Sequence, residues 1–277
     1  LYIYTGEPAE AGNLYGILAE RNPDRFRNSY TLALMADAYR LKRDYPNFFA
    51  TLTTLVQDEN TDDEQKYQAL IGSLGNFDSR TFRAILPQMD TLTMRYAQAE
   101  PSSVHAHNLC LEIAVSRGDN EAVIRESETL MSLQPDDKEA QLTGLSIIGD
   151  TYHAMGQSRK AYKKYEQALK IDPGYCPVLN NYAYYLSQER RRLCKATKMS
   201  RITIDAEPDN ATYLDTYGWI LYLRGKAKEA KPYFKHAMIY GGKESEVILR
   251  HYSKVLEKLG EKDLADYYRG LADNKKK

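Results

Sequence analysis

The chain has 277 residues, and its 38 lysine and arginine residues equal its 38 aspartate and glutamate residues, so the formal net charge is zero. A zero net charge argues against nucleic acid or an anionic membrane as the main partner, because both attract a basic surplus. The mean hydropathy is −0.61, and no apolar run approaches the ~20 residues that a transmembrane helix requires. The three cysteines are scattered without a metal-binding spacing, which favours isolated thiols.

Small and aromatic residues recur along the chain in a 34-residue window, in which we count Leu142 as position 1. Near the N-terminus, residues 1–25 match only the second half of this window. The residues at positions 15, 20, 24 and 32 there are Gly6, Ala11, Tyr15 and Pro23. Residues 29–60 match the first half of the window through the run Met35-Ala36-Asp37-Ala38-Tyr39. A leading helix followed by a helix pair is therefore predicted.

Residues 61–103 depart from the pattern. They still indicate two helices around Gly75, and the second helix is long and contains Pro87. Because proline inside a helix removes a backbone hydrogen bond, we expect a kink or an irregular unit here.

From residue 104 onwards the window recurs regularly. The match is good over 104–137 and strong over 142–244, with one extra residue in the copy that begins at Cys176, and a last copy begins at Glu246. The two most complete copies have, at positions 7, 8, 11, 15, 20, 24 and 27, the residues Ile148, Gly149, Tyr152, Gly156, Ala161, Tyr165 and Ala168, and Tyr217, Gly218, Leu221, Gly225, Ala230, Phe234 and Ala237.

Each recurring position has a physical explanation as part of a helix pair. Positions 4, 7 and 11 form one apolar stripe at helical spacing. Small residues at positions 8 and 20 allow two helices to approach closely, and glycine near position 15 permits the tight turn between them. Proline at position 32 ends the second helix. No alternating strand pattern is visible, so an all-α chain is predicted.

This pattern resembles the tetratricopeptide repeat (TPR) family in its bacterial form. The resemblance implies an all-α solenoid, a right-handed superhelix of about seven antiparallel helix pairs plus a leading helix. We divide it into N-terminal helical repeats over 1–103, with 61–103 divergent, and a regular array over 104–273. Residues 274–277 are predicted to form a disordered tail. The ends of the array carry no cap helix with a polar outer face. This suggests that the sequence is a fragment of a longer chain or that another protein or domain covers the ends.

Motifs for catalysis and for cofactor binding are not found in the sequence. It has no phosphate-binding glycine loop, dinucleotide fingerprint, zinc-protease motif or nucleophile elbow. His105 and His107 are two residues apart and point to different sides of a helix, and the other histidines are isolated. We therefore expect a protein without catalytic activity, cofactor or bound metal.

The resemblance also implies where a partner would bind. In TPR arrays, positions 2, 5, 9 and 12 of each repeat line the concave groove, which takes an extended peptide. The candidate binding residues at such positions are Asn108, Glu112, Asp150, His153, Asn180, Tyr184, Asp215, Trp219, Tyr222 and Arg250. Amide and carboxylate groups suit a peptide backbone, and aromatic groups suit its side chains.

Two alternatives remain open for this set. Trp219 and Tyr222 are also explained as packing residues that happen to fall at groove positions. The carboxylate-clamp subgroup of TPR proteins grips a peptide C-terminus with lysine, asparagine and arginine. Asn180 and Arg250 match only fragments of that clamp, and the lysine positions are missing.

The predicted function is a non-catalytic scaffold that binds a protein or peptide segment in the concave groove. The sequence pattern of residues 176–272 resembles that of bacterial TPR proteins of cell-envelope assembly. This resemblance favours an exported protein or lipoprotein over a cytoplasmic one. Two alternatives are a substrate-recruiting arm of a larger enzyme and a module that self-associates through its uncapped ends.

Overall fold

The computed structural model describes residues 28–75 and 77–275, together with residues 10, 14, 16–18 and 21–22. Within the predicted leading helix, Gly6, Ala11, Tyr15 and Pro23 lie outside the described residues, and residues 16–18 are helical. Residues 28–75 and 77–275 form fourteen α-helices and no strands. It divides into two compact units, Leu1–Ala140 and Gln141–Lys277, hereafter unit 1 and unit 2. The prediction of an all-α fold is confirmed.

The helices of unit 1 are α1 (Ser29–Leu41), α2 (Tyr45–Val56), α3 (Asp63–Leu74), α4 (Ser79–Ala99), α5 (Val104–Arg117) and α6 (Asn120–Leu133). Those of unit 2 are α7 (Lys138–Ala154), α8 (Ser158–Ile171), α9 (Cys176–Gln188), α10 (Leu193–Ala206), α11 (Ala211–Leu223), α12 (Ala227–Ala237), α13 (Glu246–Lys258) and α14 (Lys262–Asn274). A short 3-10 turn, Gly242–Glu244, precedes α13.

Unit 1 contains the segment that departs from the repeat. Its two helices, α3 and α4, lie on either side of Gly75 as predicted, and α4 continues through Pro87 as one helix of 21 residues. The hydroxyl of the fully buried Tyr96 on α4 donates to a carboxylate oxygen of Asp63 at 2.6 Å. The ammonium of Lys66 is buried and lies 2.5 Å from the Glu100 carboxylate. These polar contacts tie the ends of α3 and α4 together.

The regular repeats of unit 2 bring successive helices close together at the predicted small residues. A methyl group added at Gly149 would lie 2.3 Å from Cε1 of Tyr165, and one at Gly218 would lie 2.8 Å from Cε2 of Phe234. Ala161 and Ala230, on the second helices, are fully buried. The explanation of positions 8 and 20 by close helix approach is confirmed.

The turns between paired helices use a left-handed backbone at window position 15. Gly156 and Gly225 have φ angles of 73° and 80° there, which glycine adopts without strain. Arg190 occupies the same position in the copy that begins at Cys176, with φ of 51°. A side chain in this region costs ~1–2 kcal/mol. The repeat therefore keeps its turn geometry even where the sequence does not supply glycine.

The three cysteines have free thiols in different surroundings. Cys110 on α5 is buried, Cys176 at the start of α9 is half-buried, and Cys194 on α10 is exposed. Burial raises the pKa of Cys110 to about 11.

The last described residues remain attached to unit 2. Helix α14 includes Asn274, and the ammonium of Lys275 forms an ion pair with Glu244. The predicted disordered tail began at residue 274, which is the last residue of this helix, so the tail prediction is wrong at its first residue. Its last two residues, 276 and 277, lie outside the described residues.

Candidate peptide-binding face

Ten residues were predicted to bind a partner, and the structure distributes them over both units. Asn108 and Glu112 lie on α5 of unit 1, one helical turn apart, and both are exposed. The other eight lie in unit 2 on the first helices of the pairs, α7, α9, α11 and α13. We call the side of unit 2 that carries these eight residues the first-helix face.

Asp150 on α7 is held in a hydrogen-bond network within unit 2. Its carboxylate accepts from the hydroxyl of Tyr165 on α8 and from the amide nitrogen of Asn181 on α9, with both nitrogen–oxygen distances at 3.1 Å. Burial raises the pKa of Asp150, although these hydrogen bonds oppose the shift. The carboxylate thus links the three successive helices α7, α8 and α9.

His153 lies one turn further along α7. Its imidazole stacks on the ring of Tyr185 on α9, with ring centroids 3.5 Å apart and an angle of 13° between the planes. Burial lowers the pKa of His153, so the ring is neutral near pH 7. His153 therefore contributes an aromatic ring rather than a positive charge to the first-helix face.

Asn180 and Tyr184 occupy the middle of the face, on α9. Asn180 is only 5% exposed, and its amide nitrogen donates to Asn181 at 3.3 Å. Among the described residues, the buried side-chain oxygen of Asn180 has no hydrogen-bond partner. A buried acceptor without a donor costs ~1–3 kcal/mol. Tyr184 is half-buried, and burial together with the charge of Asp215 raises the pKa of its hydroxyl.

A second buried network lies between α11 and α13. The carboxylate of Asp215 is 4% exposed and lies 2.9 and 3.1 Å from Nδ1 of His251, which is 7% exposed. The indole of Trp219 stacks between His251, with centroids 3.9 Å apart, and Tyr222, with centroids 4.9 Å apart. The ammonium of Lys254 lies 5.4 Å from the centre of the indole ring.

This arrangement separates the roles of the two aromatic residues. Trp219 is only 8% exposed and is covered on both sides, which favours packing as its main role. Tyr222 is half-buried at the edge of the stack, and Lys254 is exposed beside it. The outer surface of this cluster is therefore formed by Tyr222 and Lys254.

Arg250 on α13 is engaged within unit 2. Its Nε lies 2.7 Å from the Glu246 carboxylate, and its Nη2 lies 2.8 Å from that of Asp273. Both carboxylates raise the pKa of the guanidinium, with hydrogen bonding as the main cause. A ligand carboxylate would have to compete with these two ion pairs.

Three participants in the face were not among the predicted residues. Asn181 and His251 fall at window position 6, and Tyr185 falls at position 10. Each follows a predicted groove position by one residue, and positions 6 and 10 had no role in the predicted pattern. Their side chains contact the neighbouring repeat, as the hydrogen bonds to Asp150 and Asp215 show.

In the range that the structure describes, no group of three or more metal-binding side chains comes together. No helix in that range has both the length and the apolar character needed to cross a membrane.

Comparison with known proteins gives structural but not sequence matches. No family model and no curated protein matches the chain. A tetratricopeptide repeat protein from Parabacteroides merdae is similar over 94% of this chain and 92% of its own, with 14% identity and a TM-score of 0.55. The pilF protein of Pseudomonas aeruginosa is similar over 62% of this chain and 76% of its own, with 18% identity and a TM-score of 0.52.

MamA (residues 41 to the end) from Desulfovibrio magneticus is similar over 62% of this chain and 94% of its own, with 13% identity and a TM-score of 0.50. At these identities the similarity concerns the fold. The helices, the small residues at their contacts and these structural matches agree with the sequence pattern. The chain therefore has the fold of a tetratricopeptide repeat protein.

Proposed function

We propose that the chain is a non-catalytic scaffold that binds an extended segment of a partner protein on the first-helix face of unit 2. The observation that carries this proposal is a pair of hydrogen-bonded carboxylates on two first helices, the half-buried Asp150 and the buried Asp215. Buried carboxylates are expensive unless they are paired. Here they hold Asn181 and His251 in place, and His251 in turn stacks on Trp219, which stacks on Tyr222. Such preorganisation lowers the ordering cost of binding.

Three groups on this face match the chemistry of a bound segment. Tyr184 and Tyr222 offer ring surfaces for its side chains, and Lys254 offers a positive charge beside them. Asn180 lies between the two carboxylate networks with an unsatisfied oxygen. A backbone N–H of a bound segment would satisfy this oxygen after a small rearrangement of the amide.

The experiment that tests this proposal is site-specific photo-crosslinking in native extract. A photo-reactive amino acid replaces Tyr184 or Tyr222, and the matched control carries it at Tyr240, an exposed tyrosine that follows α12. We expect one partner to be crosslinked from both face positions and not from the control. The same partner should bind Tyr184→Ala about ten-fold more weakly in purified form. Equal crosslinking from all three positions would refute the assignment to this face.

A second candidate function is self-association through the last helix. Helix α14 exposes Leu264 and Tyr267, with exposed fractions of 39% and 58%. A second copy of the chain would cover these apolar groups, as a neighbouring repeat does inside the array. Analytical ultracentrifugation tests this idea, because Tyr267→Glu should then shift a dimer to the monomer mass. A single-chain mass at all concentrations contradicts it.

The role in cell-envelope assembly and the role as the recruiting arm of a larger enzyme remain predictions. Fractionation of cells that produce the tagged full-length protein distinguishes an envelope from a cytoplasmic location.

A further inference from the structure

A cavity of ≈ 850 Å³ lies at one end of the helices of unit 2, and none of the ten predicted residues lines it. It is formed by the turn that leads into α8 and by the turn between α9 and α10. Its volume is that of a site for a small organic molecule rather than for a single ion.

The lining of this cavity is strongly positive. Arg159 and Lys160 contribute from α8, and Arg191 and Arg192 contribute from the second turn, whereas Glu189 is the one carboxylate among the lining residues. The four basic side chains are exposed. Within the described residues, neither Arg159 nor Arg192 forms an ion pair. Arg191 reaches Glu189 only at 4.0 Å.

The carboxylate of Glu189 offsets only part of this charge, because four cationic side chains line the cavity with it. Burial opposes its ionisation, but the hydroxyls of Ser158 and Tyr162 and the charge of Arg191 outweigh that effect and lower the pKa of Glu189. The lining of the cavity therefore keeps a net positive charge.

The N-terminus of α8 lies at this cavity, because Ser158, Arg159 and Lys160 belong to its first turn, and Arg192, which precedes α10, also lines the cavity. Helices α8 and α10 have 14 residues each and begin after Gln157 and Arg192, and neither N-cap residue forms a side-chain hydrogen bond to its helix. The first N–H groups of a helix carry partial positive charge and accept anions. The terminus of α8 therefore adds to the field of the basic side chains.

Tyr162 supplies a hydrogen-bond donor at the cavity wall. Its ring stacks on Tyr182 with centroids 4.7 Å apart, and its buried hydroxyl faces Glu189 without a well-formed hydrogen bond among the described residues. Burial, and then Glu189, raise the pKa of this hydroxyl, so it stays protonated at neutral pH. The acceptor that this hydroxyl faces is thus the carboxylate of Glu189.

We propose that this cavity binds a phosphate group, either as the free ion or as the phosphomonoester of a small molecule. A phosphate dianion matches the excess of positive charge better than a single carboxylate, and its tetrahedral oxygens accept from several directions at once. The guanidinium groups of Arg159, Arg191 and Arg192 hold the oxygens from the two walls. The space beside Tyr162 and Leu186 takes the organic part of a phosphomonoester.

The experiment is isothermal titration of the purified full chain with orthophosphate, pyrophosphate, phenyl phosphate and acetate at matched ionic strength. We expect saturable millimolar or tighter binding of the phosphates and none of acetate. The double variant Arg159→Gln/Arg191→Gln should bind at least ~10-fold more weakly. Both residues are exposed and have ordinary backbone angles, so the fold should be retained, as circular dichroism verifies.

The matched control is Arg269→Gln, an exposed arginine on α14, which should bind phosphate like the wild type. Tighter binding of phenyl phosphate than of orthophosphate supports a phosphomonoester as the ligand, and equal binding supports the free ion. Absence of saturable phosphate binding, equal binding of acetate, or unchanged binding by the double variant overturns the proposal.

Discussion

The closest helix contact in unit 2 makes Gly149→Ala the most informative substitution. The added methyl group would lie 2.3 and 2.7 Å from Cε1 and Cδ1 of Tyr165, distances that real contacts do not reach. The ring cannot simply withdraw, because Tyr165 is fully buried and its hydroxyl is bonded to Asp150. The substitution must therefore displace either α7 or the ring.

The expected loss of stability follows from three terms. Overpacking of a core by a methyl group destabilises by ~1–3 kcal/mol. Displacement of the ring weakens a hydrogen bond to a buried carboxylate, which contributes ~1–3 kcal/mol. Alanine is the better helix former by ~1 kcal/mol, which opposes the loss. We expect Gly149→Ala to lower the free energy of unfolding by about 2–4 kcal/mol.

The assay is urea unfolding followed by the fluorescence of Trp219. This is the one tryptophan of the sequence, and it lies in unit 2, so the signal does not mix the two units. The matched control is Gly270→Ala on α14, where an added methyl group meets nothing within 4 Å. That variant should be as stable as the wild type or up to ~1 kcal/mol more stable. Equal behaviour of the two variants would refute the argument from close helix approach.

The remaining predictions concern the turn at Arg190 and the carboxylates of Asp150 and Asp215. Arg190→Gly should raise the free energy of unfolding by about 1 kcal/mol, because glycine removes the strain of the left-handed backbone; unchanged stability in the same urea assay would contradict this. Since burial raises the pKa of Asp150, its favourable contribution is fully present below the unfolded value of 3.8 and declines as the pH rises through the native pKa. The free energy of unfolding of Asp150→Asn should therefore compare least favourably with that of the wild type in acid and more favourably near neutral pH. Urea unfolding curves over that pH range measure this difference. Asp215→Ala should destabilise unit 2 by ~1–3 kcal/mol, because His251 loses its buried partner. It should also change the emission of Trp219, which stacks on that imidazole, and an unaltered spectrum would argue against the stack.

Much of the fold could be predicted from the sequence, because a repeat presents the same constraint several times. One glycine at a helix contact has many explanations, but Gly149 and Gly218 at the same window position have few. The turn at Arg190 was harder to predict, since arginine gives no local signal for a left-handed backbone. The structure keeps that geometry because the helices on either side are fixed by packing.

The candidate site could be predicted only in part. The positions of Asp150 and Asp215 on first helices follow from the window. Their hydrogen bonds to Asn181 and His251 could not be predicted from the window. These contacts depend on how each helix is rotated about its axis, and a difference of one residue corresponds to ~100° of rotation. The cavity between α8 and the α9–α10 turn was not predicted at all, since its arginines look like solvated turn residues until the two turns are brought together.

The cysteines described above allow the opening of unit 1 to be followed over time, separately from that of unit 2. The thiol of Cys110 is buried in unit 1 and its pKa is raised, so a thiol reagent will modify it only when that unit opens. Cys194 reacts without opening and serves as the internal standard for the reagent. Labelling kinetics at Cys110, combined with tryptophan emission from unit 2, would show whether the two units open in one cooperative event or one after the other.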